Sequence, residues 1–219
     1  MKKKRALIVG TGGLRGAYGA GVVAELCRKL GPYYFDSLYA SSVGTYAATF
    51  FVANQPGVIE DVWRNHVDGR KLIDYTNIFK NRAVLQLGYL ARIFQNGLHC
   101  LDVNAVMHSR ASLFYTLTEY ATGKTAFITP QKNMIFDMMS ASAAMPLLHP
   151  PKIINGMGYV DGSLSDPLPF LKALADGHDE VVVVYNKPSG FFVGNRYDTF
   201  SHLLAAAMPR KIGHLVRTV

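Results

Sequence analysis

The first fifty residues alternate between short apolar runs, tight loops and helical patterns. Ala6 to Val9 is an apolar run rich in branched side chains, which predicts a buried strand that enters the loop Gly10-Thr11-Gly12-Gly13. Small and apolar residues then recur at helical steps of three and four, until Gly31-Pro32 ends the pattern. These positions are Ala17, Ala20, Val23, Ala24, Cys27 and Leu30.

The same order repeats directly afterwards. Phe35 to Tyr39 is predicted to be a second short strand, Ala40 to Gly44 a sharp turn, and Thr45 to Ala53 an apolar helix that ends before Pro56. Two successive strand–turn–helix units predict a parallel sheet covered by helices, which is an α/β fold.

The rest of the chain continues this alternation less regularly. Residues 58–98 are predicted to be mostly helical, with Trp63 as a packing residue, and we interpret them as a helical cap. The later predicted elements are a strand over Ala126–Thr129, a helix over Asn133–Ala144, a hairpin over Lys152–Val160 around Asn155-Gly156, a helix over Pro169–Ala175 and a strand over Val181–Tyr185.

Composition limits the class of protein. The 219 residues are 49% hydrophobic and 17% charged, which predicts a single domain over residues 1–219 and excludes a disordered chain. The basic and apolar start imitates a secretory signal, but glycines interrupt it after Val9. Cys27 and Cys100 are too few for a disulfide framework, so we expect packing residues in a reducing, cytoplasmic setting. The end of the sequence leaves room for a further C-terminal region.

The net charge of +8 suits an anionic partner. Beyond the basic start at residues 2–5, the Lys and Arg residues are scattered, and neither a nucleic-acid motif nor an interleaved aromatic ladder accompanies them. We therefore expect no nucleic-acid partner. A solvated surface is the simpler interpretation of the charge, and peripheral contact with an anionic membrane surface remains open.

The turn after the second strand carries the first chemical signal. A nucleophilic serine on a strand-to-helix turn needs small residues two positions before and two positions after it. Ala40 and Gly44 occupy those positions around Ser42, with alanine in place of the usual first glycine. Centring the turn on Ser41 would place Tyr39 and Val43 there, which is sterically unfavourable. Ser42 is thus the candidate nucleophile, although the pentapeptide alone is also typical of a turn without catalysis.

Two further segments supply the partners that a serine nucleophile requires. Consecutive backbone amides in the loop from Gly12 to Gly16 can bind an anion at the start of a helix. The dinucleotide fingerprint fails there, because Arg15 stands where its third glycine is required. Asp161, between an apolar strand and Gly162, is the candidate base.

Taken in order, these segments resemble those of the patatin-like phospholipases over nearly the whole chain. The glycine loop is similar to the oxyanion segment of that family, with Thr11 at the position of its first glycine. Residues 40–44 are similar to its nucleophile elbow, and residues 140–146 with Tyr159-Val160-Asp161-Gly162 to the segment that leads to its catalytic aspartate. Ser163 stands where the family usually has glycine or alanine.

The resemblance implies a three-layer α/β/α fold with a mainly parallel sheet, and hydrolysis of lipid acyl esters by a Ser42–Asp161 dyad without a histidine. It also implies an oxyanion hole formed by the backbone of Gly12, Gly13, Leu14 and Arg15. Neither a metal nor a cofactor is expected, and the expected partner is the lipid ester. Motif positions that would support the site are Gly10, Gly16, Ala40, Gly44, Gly162 and Ser163.

Two alternatives compete with the dyad. In a Ser-Asp-His esterase, a late histidine would complete a triad, and His178, His202 and His214 are the candidates. A catalytically silent lipid- or protein-binding module would explain the departures at Thr11, Ala40 and Ser163 as decay. The remaining histidines show no metal-binding spacing and are interpreted as polar or surface residues; they are His66, His99, His108 and His149.

Overall fold

The computed structural model of the chain describes residues 3–67 and 69–187. The strands are β1 (Arg5–Val9), β2 (Ser37–Ser41), β3 (Ser112–Glu119), β4 (Thr125–Ile128), β5 (Lys152–Ile154), β6 (Met157–Asp161) and β7 (Glu180–Val184). The helices are α1 (Gly16–Leu30), α2 (Gly44–Val52), α3 (Pro56–Asn65), α4 (Gly69–Leu72), α5 (Leu87–Gln95), α6 (Val103–Met107), α7 (Ile135–Ser142) and α8 (Phe170–Ala175). Short 3-10 turns cover Gly13–Arg15, Tyr75–Ile78, Gly97–His99 and Gly162–Leu164.

These strands form one mixed sheet, in which hydrogen-bonded neighbours follow the path β5-β6-β3-β2-β1-β7 and β4 also pairs with β3. β1 pairs in parallel with β2 and β7, and β2 pairs in parallel with β3. The antiparallel pairs are β3 with β4, β3 with β6, and β5 with β6. The predicted mainly parallel sheet is confirmed. Its antiparallel part consists of β4, β5 and β6 together with β3.

Helices cover both faces of the sheet, as a three-layer fold requires. On one face, residues such as Leu7 and Leu38 pack in the large core with α1, α2, α5 and α7. On the other face, Ile8 and Tyr39 pack with Ala173 of α8. Because side chains alternate along a strand, each central strand contributes to both layers, and its buried residues form an almost continuous apolar run.

Several predicted elements are confirmed with shifted bounds. The hairpin around Asn155-Gly156 is β5–β6, and the late strand is β7. The prediction for the second strand ended two residues early, since β2 continues to Ser41, directly before the nucleophile turn. β3 pairs with three other strands and was not predicted from the sequence. Cys100 was wrongly predicted to pack, because its side chain is exposed; Cys27 is buried.

Within the described ranges 3–67 and 69–187, we find no helix with both the length and the apolar character needed to span a bilayer. The segment interpreted as a cap consists of α3, α4, α5 and two 3-10 turns. Its helices contribute buried apolar residues to the main core, among them Ile59, Val62 and Leu90.

Candidate active site

Ser42 lies on a strained turn between β2 and α2. Its φ angle is +56°, in the left-handed region that a residue with a side chain seldom adopts. Gly44 permits the turn to fold tightly, because a Cβ atom there would lie 2.3 Å from the carbonyl oxygen of Val9. Ala40 is fully buried in the core, so the methyl group that departs from the usual glycine is accommodated.

A buried hydroxyl network supports the turn from the side of α7. The Ser42 amide donates to Ser142 Oγ at 3.0 Å, and Ser142 Oγ donates to the Thr116 carbonyl oxygen at 2.9 Å. Thr45 Oγ1 lies 2.8 Å from the same Ser142 oxygen. Ser142 therefore connects the nucleophile turn to β3, and the Ser42 amide is already satisfied within the protein.

The register of β3 brings Asp161 beside Ser42. Ser41, at the end of β2, lies opposite Thr116, and Asp161, at the end of β6, lies opposite the next residue of β3, Leu117. β4 pairs with the same two residues along the opposite edge of β3. β2 and β6 therefore lie along one edge of β3 and meet there end to end. Gly162 allows this close approach, because a Cβ atom there would lie 2.0 Å from the Thr116 carbonyl oxygen.

Ser42 Oγ donates a hydrogen bond to Asp161 Oδ2 at 2.8 Å. The other carboxylate oxygen, Oδ1, accepts from the Ser163 amide at 2.9 Å, so Ser163 contributes to the site through its backbone. Asp161 is only 2% exposed. Burial raises its pKa to about 6, although the hydrogen bonds from Ser163 and Ser42 act in the opposite direction. The carboxylate is thus ionised at neutral pH but much closer to protonation than a surface aspartate.

Asn186, two residues after β7, holds the glycine loop against the sheet. Its side-chain amide donates to the carbonyl oxygens of Gly10 and Thr11, at 3.0 and 3.2 Å. Gly12 and Gly19 leave space for it, since a Cβ atom on either would lie within 2.8 Å of an Asn186 atom. Asn186 was not predicted from the sequence, because no local pattern marks a contact with a loop more than 170 positions earlier.

The glycine loop divides into residues that face the nucleophile and residues that shape the loop. Thr11, Gly13 and Leu14 line the same cavity as Ser42 and Asp161. The Arg15 amide donates to the Gly12 carbonyl oxygen at 3.0 Å and so closes the 3-10 turn.

The two flanking glycines allow the loop to pack closely. A Cβ atom on Gly10 would lie 2.4 Å from Leu168 Cδ2, and one on Gly16 would lie 2.6 Å from Val43 Cγ1. The loop is thereby fixed between the segment before α8 and the nucleophile turn.

The cavity beside the dyad has a volume of about 200 Å³. Its lining is almost entirely apolar, and α3 and α5 supply much of it, through Ile59, Val62, Trp63, Leu87, Leu90 and Phe94. The polar side chains that reach it are those of Thr11, Ser42, Tyr46 and Asp161. An apolar cavity with a few polar groups at one place fits a ligand that has a hydrocarbon chain and one reactive polar group.

The described histidines do not complete a triad with Ser42. His178 precedes β7 and packs edge-on against the Tyr39 ring, whereas Ser42 follows β2, which runs in the same direction. The two residues therefore lie toward opposite ends of the parallel strands. His202 and His214 lie outside the described residues. His66 and His99, which the sequence analysis interpreted as polar or surface residues, lie together beside Asp61.

Comparison with known proteins identifies the family of the chain. The family model "Patatin-like phospholipase" matches residues 7–174, which include the nucleophile turn, the glycine loop and Asp161. The chain belongs to this family. Membership in the patatin-like phospholipases does not by itself assign the residues that react.

Two individual proteins illustrate the relationship. The uncharacterized protein YjjU of Escherichia coli (strain K12) is 27% identical over 194 residues, which are 85% of this chain and 53% of that protein. The crystal structure of VipD from Legionella pneumophila superposes with a TM-score of 0.55 at 14% identity, covering 94% of this chain and 53% of VipD. The similarity to VipD shows the fold alone. The chain spans about half the length of each of these two proteins.

Proposed function

We propose that the protein hydrolyses lipid acyl esters, with Ser42 as the nucleophile and Asp161 as the general base. The observation that carries the proposal is the 2.8 Å hydrogen bond from Ser42 Oγ to Asp161 Oδ2 in the wall of an apolar cavity. A serine hydroxyl becomes an effective nucleophile when an adjacent base accepts its proton. Asp161 is held on both sides of its carboxylate, so it needs no further residue to orient it.

The proposed ester hydrolysis has two steps, acylation of Ser42 and hydrolysis of the acyl-enzyme. Ser42 Oγ attacks the acyl carbon while its proton moves to Asp161 Oδ2; the ester C–O bond then breaks, and the alcohol leaves with that proton. In the second step, water attacks the acyl-enzyme and gives its proton to Asp161. The acyl–Oγ bond breaks, the fatty acid leaves, and the proton returns to Ser42.

The charge that develops on the acyl oxygen needs donors in the same cavity. We propose that backbone amides within the loop from Gly12 to Arg15 form the oxyanion hole. Gly13 and Leu14 support it best, because they line the cavity, whereas the Arg15 amide is bonded to Gly12. The Ser42 amide is directed to Ser142 and is not a candidate donor. We assign Gly12 and Arg15 to shaping the loop.

The strained nucleophile argues against a silent binding module. A non-glycine residue in an unfavourable backbone conformation costs on the order of 1–3 kcal/mol, and lipid binding alone does not require Ser42 to adopt one. The strain, the buried base and the cavity together favour a hydrolase over a binding protein.

A lipid panel tests this function. We expect wild-type protein to release fatty acid from at least one of phosphatidylcholine, lysophosphatidylcholine, a neutral glyceride or a p-nitrophenyl acyl ester, and Ser42→Ala to release none above background. Ser41→Ala is the matched control, because Ser41 is the adjacent serine and should keep most of the activity. Equal fatty-acid release by wild type and Ser42→Ala would reject the proposal.

A further inference from the structure

A cluster of three side chains lies near α3, apart from the dyad. Asp61 is on α3, His66 follows that helix, and His99 is in the 3-10 turn Gly97–His99. One possible ligand atom from each residue lies within 4.8 Å of the other two. His99 Nε2 is 2.5 Å from Asp61 Oδ2, and the two imidazole ring centroids are 4.5 Å apart. The chain thus brings two imidazoles and a carboxylate together from segments more than thirty residues apart.

Neighbouring groups hold the Asp61 side chain and the His66 backbone in place. Asn65 Nδ2 donates to Asp61 Oδ1 at 2.6 Å, on the carboxylate oxygen that does not contact His99. The His66 amide donates to the Val62 carbonyl oxygen, and the His66 carbonyl oxygen accepts from Tyr89 Oη at 3.2 Å. A bond such as that from Asn65, which orients a ligating carboxylate, is typical of protein metal sites.

We propose that Asp61, His66 and His99 bind a zinc ion. Two imidazole nitrogens and one carboxylate oxygen suit Zn²⁺, whereas Mg²⁺ and Ca²⁺ prefer oxygen ligands throughout. Tetrahedral zinc with ligands at about 2.0–2.1 Å places neighbouring ligand atoms roughly 3.3 Å apart. Asp61 Oδ2 and His99 Nε2 would therefore move slightly apart to admit the ion, and His66 would move closer.

The cluster lies at the two ends of a segment that lines the apolar cavity, and from this position we infer a role for the ion. The residues between His66 and His99 contribute to the wall of the apolar cavity, through Val67, Leu72, Ile73, Leu87, Leu90 and Phe94. Zinc held by His66 at one end and His99 at the other would fix both ends of this segment. We assign the ion a structural role in the cavity wall, separate from the dyad, so the assignment stands whether or not Ser42 is the nucleophile.

Calorimetric titration of zinc chloride into the untagged, chelator-treated full chain tests the site. We expect one Zn²⁺ per chain, a higher melting temperature with zinc, and no such rise with MgCl₂. His66→Gln is the most informative variant, because it removes one ligand and keeps the contact between Asp61 and His99. It should weaken zinc affinity at least tenfold, and Asn65→Ala by roughly 10- to 100-fold. The exposed His108 provides a matched control, and His108→Gln should bind zinc like wild type.

Two results would overturn the assignment. One is wild-type zinc affinity in His66→Gln, which would mean that Asp61 and His99 form only an ion pair. The other is loss of zinc binding in Cys100→Ser, since the exposed thiol next to His99 is the competing ligand. Melting curves of the metal-free variants establish that each is folded, and Asp61→Asn provides a second ligand variant if His66→Gln does not fold.

Discussion

At the nucleophile turn, neighbouring backbone atoms leave no room for added side chains, whereas the cavity wall from α3 to α5 consists of apolar side chains that meet one another. A Cβ atom on Gly44 or Gly162 would collide with a carbonyl oxygen at 2.3 or 2.0 Å. The wall residues, such as Ile73 and Leu90, line open space in the cavity. Under the proposed function, we expect the chemistry to depend on backbone geometry at the sheet edge, and acyl-chain preference to depend on side-chain volume in the wall.

The largest expected effect comes from Asp161→Asn. Without a base for Ser42, kcat/KM should fall by about 10⁴-fold or more. The same change should stabilise the fold at pH 7.5, because the buried carboxylate no longer has to be ionised. A pKa raised from 3.8 to about 6 corresponds to a gain of up to about 3 kcal/mol in the free energy of unfolding. Ester hydrolysis and chemical denaturation measure the two effects.

The pH dependence has a defined sign. Between about pH 4 and 6, the folded wild type binds more protons than the unfolded chain, so its stability falls as the pH rises through this window, and Asp161→Asn lacks this loss. Wild-type kcat/KM should change in the opposite sense, rising with pH through about 6 as Asp161 ionises. A profile with no inflection near pH 6, or a variant less stable than wild type at pH 7.5, would contradict the assigned environment of Asp161.

The next effect separates the two small residues of the nucleophile turn. Gly44→Ala forces the Val9 carbonyl to move; it should destabilise the fold by about 1–3 kcal/mol and lower kcat/KM by about 100-fold. Ala40→Gly is the matched control, since it restores the usual family residue and removes a methyl group from a packed strand. It should cost about 1 kcal/mol of stability and leave kcat nearly unchanged. Similar activity losses in both variants would show that the turn is not constrained as described.

A smaller effect is expected at Asn186. Asn186→Ala leaves the Gly10 and Thr11 carbonyl oxygens without their side-chain donor, so the glycine loop should lose its fixed position. We expect kcat to fall roughly tenfold, which corresponds to about 1.4 kcal/mol, with KM little changed. Asn133→Ala, at an exposed asparagine, is the control. If Asn186→Ala changes melting temperature alone and leaves kcat intact, Asn186 supports the fold and not the loop geometry.

The smallest effect is expected in the cavity wall. Ile73→Ala enlarges the cavity and removes contact with a long acyl chain, so kcat/KM for a long-chain p-nitrophenyl ester should fall about fivefold, equivalent to about 1 kcal/mol. The short-chain ester should react as before. Ile153→Ala makes the same chemical change at a residue that is 64% exposed and outside the wall. Equal losses for short and long esters would remove Ile73 from the chain-binding surface.

A site residue could be predicted from the sequence where the few residues next to it form a recognisable motif. Ser42 was identified from the small residues around it, and Asp161 from an apolar strand followed by glycine; the structure places them together. The distance between Ser42 and Asp161 depends on strand pairing, because β2 and β6 meet along β3. No local sequence pattern indicates this pairing. The aromatic and threonine residues of β3 are typical of a strand and did offer a signal, although this strand was not predicted from the sequence.

Contacts made across the fold remained beyond local patterns. Ser142 was recognised within a segment that resembles the family, but its bonds to Ser42 and Thr116 depend on how α7 packs on β3. Asn186 and the group formed by Asp61, His66 and His99 likewise join segments that are distant in sequence. Such residues become visible when the sheet order and the helix packing are known.

Labelling with a fluorophosphonate probe, followed by peptide mass spectrometry, tests the central claim most directly, because the probe phosphonylates only an activated serine. We predict one adduct per chain on Ser42 in wild type, none in Ser42→Ala, and strongly slowed labelling in Asp161→Asn. An adduct on Ser41 or on another serine, or labelling of Asp161→Asn at the wild-type rate, would contradict the proposed dyad.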